Sequence, residues 1–79
     1  MIDLNIVNSS NIARIGFDSQ LNKLVVQFKT GKYYEYENVP ENLYLNMVNS
    51  QSIGKYFNTY IRNNFPYREL VIDKTGDLF

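Results

Sequence analysis

The sequence contains no cysteine and no histidine. Without cysteine there is neither a disulfide framework nor a thiolate metal site, the staples on which small secreted domains depend, so a reducing cytoplasm is the expected setting. Without histidine the commonest general base and the commonest transition-metal ligand are missing, which leaves carboxylates, lysine and tyrosine for chemistry. No enzymatic activity, cofactor or metal site is expected from that kit. Long apolar runs are missing too. Nothing approaches the roughly 18 residues that cross a bilayer, and Asp3 stands where a signal peptide needs a basic start, so neither a membrane span nor that route of export is expected. Nor is there an excess of charge: eight Lys and Arg balance eight Asp and Glu, which excludes the global field of a strongly basic nucleic-acid-binding protein.

What the sequence does have is aromatic area. A chain of 79 residues is one domain, here 1–79, with no internal repeat or linker. A domain this small buries only about 60% of its unfolded surface, so each large side chain matters. Seven tyrosines and five phenylalanines supply that surface. The charges, balanced in total, are uneven along the chain. From Asn42 to Arg68 there is no Asp or Glu, while Lys55, Arg62 and Arg68 give the stretch a charge of +3. Eleven asparagines beside many Lys, Ile and Tyr point to an AT-rich coding sequence, compatible with a bacterial or phage origin.

Alternation identifies the strands. Ile2, Leu4 and Ile6 read as a short half-buried strand. Ala13, Ile15 and Phe17 form the next, after the turn residues Ser9-Ser10-Asn11, and Leu24, Val26 and Phe28 the third. A four-residue loop at 19–22 sets Phe17 opposite Leu24 and Ile15 opposite Val26. The register of the following strand, Lys32-Tyr33-Tyr34-Glu35-Tyr36, depends on its turn. A two-residue loop would put Glu35 and Glu37 on the core face. A three-residue loop 29–31, with Gly31 in the left-handed region as a bulge, pairs Val26 with Tyr34 and Leu24 with Tyr36 and is the expected form. Asn38 or Val39 is the cap candidate for a helix at about 40–49 that carries Pro40 in its first turn. Ser52 caps a second helix reaching about Asn63, with Ile53, Phe57, Tyr60 and Ile61 as its apolar face. Arg68 to Ile72 extend back along a sheet edge, and 73–79 read as a flexible tail. The fold class is therefore α+β, an antiparallel meander of three or more strands followed by two short helices packed on one face of the sheet.

Few groups carry chemistry. Glu35 and Glu37 alternate on one strand face, as paired acids do in acid–base or cation sites, but lysines beside them make a solvated face the expected reading. Gly54, at the start of the second helix, permits close packing or the approach of an anion. Lys55, Thr59 and Arg62 recur at helical spacing as one polar stripe along which a phosphate backbone can lie, with Lys32 and Arg68 nearby. The expected register turns Tyr33 away from Tyr34 and Tyr36. It is then either a platform on which a base stacks or a residue covered by a terminal strand or a second subunit.

Taken in order, Ser9-Ser10-Asn11-Ile12, Gly16-Phe17-Asp18, Tyr34-Glu35-Tyr36, Val39-Pro40, Ser52-Ile53-Gly54-Lys55-Tyr56-Phe57-Asn58, Ile61-Arg62 and Tyr67-Arg68 resemble the KTSC domain family over about residues 7–70. These short domains occur as stand-alone bacterial and phage proteins and at the C-terminus of some lysyl-tRNA synthetases. The synthetase context implies RNA as a ligand. The expected function is thus a non-enzymatic module that binds RNA or another nucleic acid through Tyr33, Lys32, Lys55, Arg62 and Arg68. The alternative is a protein-interaction module that uses the same aromatic surface to bind a protein partner or a second copy of itself as a homo-oligomer.

Overall fold

Among the residues described by the computed structural model, 3–71, five strands form one antiparallel sheet in the order of the chain. They are β1 (Asn5–Ile6), β2 (Ile12–Asp18), β3 (Lys23–Phe28), β4 (Tyr33–Tyr36) and β5 (Tyr67–Leu70). Between β4 and β5 lie α1 (Glu41–Val48) and α2 (Ile53–Tyr56), and α2 runs on as a π-helical segment, Phe57–Ile61. The expected α+β architecture is the one observed.

Gly31 fixes the central hairpin. Its backbone is in the positive-φ region at 97°, a conformation that costs little only without a Cβ. This lets the Gly31 N–H donate to the Phe28 carbonyl at 2.9 Å while the Phe28 N–H donates to Lys32 at 2.9 Å. The resulting pairs are Gln27 with Tyr33, Val26 with Tyr34 and Leu24 with Tyr36, as the three-residue loop requires. On the other side of β3, Ile15 faces Val26 and Phe17 faces Leu24. The Asp18 carboxylate holds that loop by accepting from the N–H groups of Gln20 and Leu21 at 2.9 and 3.2 Å, and Asn22 takes a left-handed φ of 53°.

One face of the sheet therefore carries Ile15, Leu24, Val26 and Tyr36, and the helical layer covers it with Met47, Phe57 and Ile61, joined by Ile12 and Val39. Helix α1 begins at Glu41 with Pro40 at its N-cap and no side-chain cap. Neither Asn38 nor Val39 fills the expected capping role. Asn38 adopts φ 62°, and Val39 is buried in the core with its N–H donated to Asn22 at 2.9 Å. Ser52 caps α2 as expected, its hydroxyl accepting from the Lys55 N–H at 3.3 Å.

The second helix departs from expectation at Tyr60. The Arg62 N–H reaches back five residues to the Phe57 carbonyl at 2.9 Å, the hydrogen bond of a π turn. The wider turn keeps Phe57 and Ile61 both in the core but rotates Tyr60 out to solvent, against Tyr56 at 4.5 Å between ring centroids. The first strand is also smaller than its alternation suggests. Among the described residues only Asn5 and Ile6 pair with β2, Ile6 is exposed, and Ile2 of the expected strand lies outside those residues. Gly54 is explained by packing: a Cβ there would lie 2.7 Å from Asn11 Oδ1 and 3.1 Å from Ser9 Oγ. The turn before β2 thus seats directly on the start of α2. The expected tail, 73–79, lies outside the described residues.

Candidate functional site

Two short helices cannot cover five strands. They shield β2 and β3, and the sheet face over the β4–β5 end stays open as a groove of about 450 Å³. Its lining comes from three places: Phe28, Thr30 and Lys32 at the central hairpin, Tyr34, Tyr36 and Tyr67 from β4 and β5, and Arg62 and Asn63 from the end of the π segment, with Asn11 at one side. None of the lining residues is acidic. Sheet pairing explains the tyrosines, because Tyr36 lies directly opposite Tyr67 and both point to the helical side.

The groove is built on a closed cycle of aromatic contacts. Phe28 meets Tyr34 edge-on at 5.6 Å, Tyr34 meets Tyr67 at 6.0 Å, and Tyr67 lies tilted on Tyr36 at 5.4 Å. Tyr36 then meets Phe57 at 5.2 Å, and Phe57 returns to Phe28 at 5.7 Å. Edge-to-face pairs at these distances each add about 0.5–1.5 kcal/mol beyond burial, so the cycle holds its members in place. Tyr67 is 60% exposed and presents ring surface at the mouth, whereas Tyr36 is 3% exposed and forms the floor. Burial pushes the Tyr36 phenol up to about 12, and the nearby Arg62 guanidinium opposes part of that rise. The phenol is therefore neutral, and able to donate, throughout the physiological range.

Of the five residues expected to form the binding surface, this groove brings together Lys32 and Arg62. The other three lie elsewhere. Lys55 is exposed on α2 and does not line the groove. Arg68 points to the opposite face of the sheet, where its Nε donates to Glu35 Oε1 at 3.1 Å. Tyr33 also points there, and the expectation of an exposed stacking platform is corrected: the ring is 7% exposed, packed with Val25, Leu70 and Leu4. Of the two readings open for Tyr33, cover by the C-terminal strand is the observed one, since β5 places Leu70 directly beside it. Its hydroxyl accepts from Arg14 Nη2 at 2.9 Å, while Arg14 Nε donates to Gln27 at 2.6 Å.

Glu35 likewise does not sit on a solvated face. It is buried between Arg68 and Lys23, whose Nζ is 3.7 Å away. The residues missed in the sequence are Tyr34 and Tyr67. Alternation assigned Tyr34 to the core, and it is half-buried because the helices stop short of it. For Tyr67 the available signal was its place three residues before Leu70, the apolar end of β5, an odd spacing that puts it on the opposite face from Leu70 once β5 pairs with β4.

The KTSC domain family matches residues 8–65 of the chain. The chain belongs to this family. A crystal structure of a KTSC domain protein from Yersinia pestis superposes with a TM-score of 0.86 at 31% identity, covering 90% of this chain and 100% of that one. Two curated relatives are lysine–tRNA ligases, from Nostoc punctiforme at 30% identity and Trichormus variabilis at 33%, each aligned over 77% of this chain. The aligned segment covers only 11% of the length of those ligases. A third relative, an uncharacterised protein of Stutzerimonas stutzeri, is 33% identical over 66% of this chain and 73% of its own length. Among the described residues no helix is long and apolar enough to cross a membrane.

Proposed function

We propose that this KTSC domain is a non-enzymatic module that binds single-stranded RNA in the groove between the β4–β5 end of the sheet and the π segment. One observation carries the reading: exposed aromatic surface at Tyr67 and Tyr34 converges with the cations Lys32 and Arg62 in a cleft whose lining has no acid. Stacking on a tyrosine face holds a base of any identity, and the two cations hold the phosphates beside it. Two positive charges also suit a chain of zero net charge, because binding needs a local field rather than a global one. Relatives named lysine–tRNA ligases, which carry a similar segment, lend support by analogy. The proposal sets the domain in the cytoplasm, a compartment that suits stability without disulfides.

Fluorescence anisotropy with a labelled single-stranded RNA at low salt tests this. Two phosphate contacts give a slope of log affinity against log salt of about −1.4, and Arg62→Ala halves it. Absence of binding at low salt ends the reading. A protein-interaction module is the second reading, favoured by the exposed Tyr67 on the edge strand β5 and the exposed Val71 just after it. Sedimentation as a dimer at micromolar concentration, with no affinity for RNA, supports it instead.

A further inference from the structure

The floor of the groove holds an unpaired polar group. Tyr36 is 3% exposed, and no hydrogen bond from its hydroxyl is found among the described residues. Yet no side-chain nitrogen or oxygen sealed from solvent lacks a partner there. The small exposed part of Tyr36 therefore includes its hydroxyl, and that hydroxyl opens into the groove it lines. A ligand that filled the groove with apolar surface would strip water from the phenol and return nothing, a loss that strongly disfavours such a ligand. The preferred occupant brings a hydrogen-bonding edge to the floor, a flat face to Tyr67 and a negative charge to Arg62 and Lys32.

Resting on the reading of the groove as an RNA site, we propose that it takes one unstacked nucleotide, an acceptor atom of whose base is hydrogen-bonded to the Tyr36 hydroxyl while its phosphate lies against Arg62. A paired, stacked base shows neither its face nor its pairing edge, so the site selects single strands over duplex. The volume of about 450 Å³ falls within the range of roughly 300–1,000 Å³ typical of small-ligand clefts. Tyr36 then adds to the stacking on Tyr67 a hydrogen bond to the base, which a phosphate chain without bases cannot offer.

The test compares three labelled probes of equal length by anisotropy: a mixed-sequence single-stranded RNA, the same strand in a duplex, and a base-free ribose–phosphate strand. The wild-type protein is expected to prefer the single strand to both others by about tenfold or more, in line with the stacking of one base. Tyr36→Phe, which keeps the ring packing, is expected to weaken the single strand about five- to tenfold, as for one hydrogen bond, and to leave the base-free strand unchanged. If wild-type protein binds the base-free strand as tightly as RNA, nucleotide insertion is overturned while the RNA reading stands. The same holds if Tyr36→Phe has no effect on the single strand. Failure to bind any probe overturns both.

Discussion

Two neighbouring tyrosines, Tyr33 and Tyr34, have opposite roles because one residue separates the faces of a strand. Tyr33→Ala removes a buried ring and its bond from Arg14, and is expected to lower stability by about 3 kcal/mol without changing RNA affinity, read from urea midpoints and anisotropy together. Tyr67→Ala has the reverse signature: RNA affinity falls by about 1–3 kcal/mol, with a smaller loss of stability since the ring is mostly exposed. Arg68 makes a third contrast. Arg68→Ala breaks a charged hydrogen bond to the buried Glu35, for about 1 kcal/mol given the exposure of the arginine. Because Arg68 faces away from the groove, the salt slope of RNA binding is expected to stay as in wild type.

At the scale of elements, Gly31→Ala isolates backbone strain from packing. Nothing lies within 4 Å of the Cβ it would add, so the expected loss of about 1 kcal/mol comes from forcing an alanine to positive φ, and a denaturation curve checks it. The hairpin was readable in the sequence for this same reason: one glycine and one alternation left a single register that kept Glu35 off the core face. What local pattern could not convey was distant pairing. The cover over Tyr33 and the position of Tyr67 both follow from β5 returning beside β4 across the whole helical segment, and nothing in Tyr33-Tyr34-Glu35-Tyr36 encodes that return. The π turn at Phe57–Ile61 was hidden for a different reason. Hydrophobic spacing read at 3.6 residues per turn assigns Tyr60 to the apolar face, and one wide turn rephases it. Arg62 reaches the groove at the end of that turn, so the candidate site depends on the element least visible in sequence.

For the molecule as a whole, the helical layer is narrower than the sheet, and this mismatch creates the groove. It also leaves Tyr36 joined to both the core and the cleft. Its folded value, raised to about 12 from 10.0, means that the folded state holds the phenolic proton more tightly than the unfolded chain does. The associated stability is fully present below about 10 and is lost as pH rises towards about 12. Urea midpoints across the alkaline range are expected to fall in wild type and to fall less steeply in Tyr36→Phe. Tyr44, also raised by burial, adds to the same alkaline loss. The cycle of aromatic rings has a further, optical consequence. The chain has no tryptophan, so its near-ultraviolet circular dichroism and intrinsic emission come chiefly from tyrosine. Tyr34, Tyr36 and Tyr67 stand within about 6.0 Å of one another along the cycle, close enough for their transitions to couple, and an occupant of the groove perturbs all three at once. The domain thereby carries a label-free reporter at the place where a ligand is expected to bind.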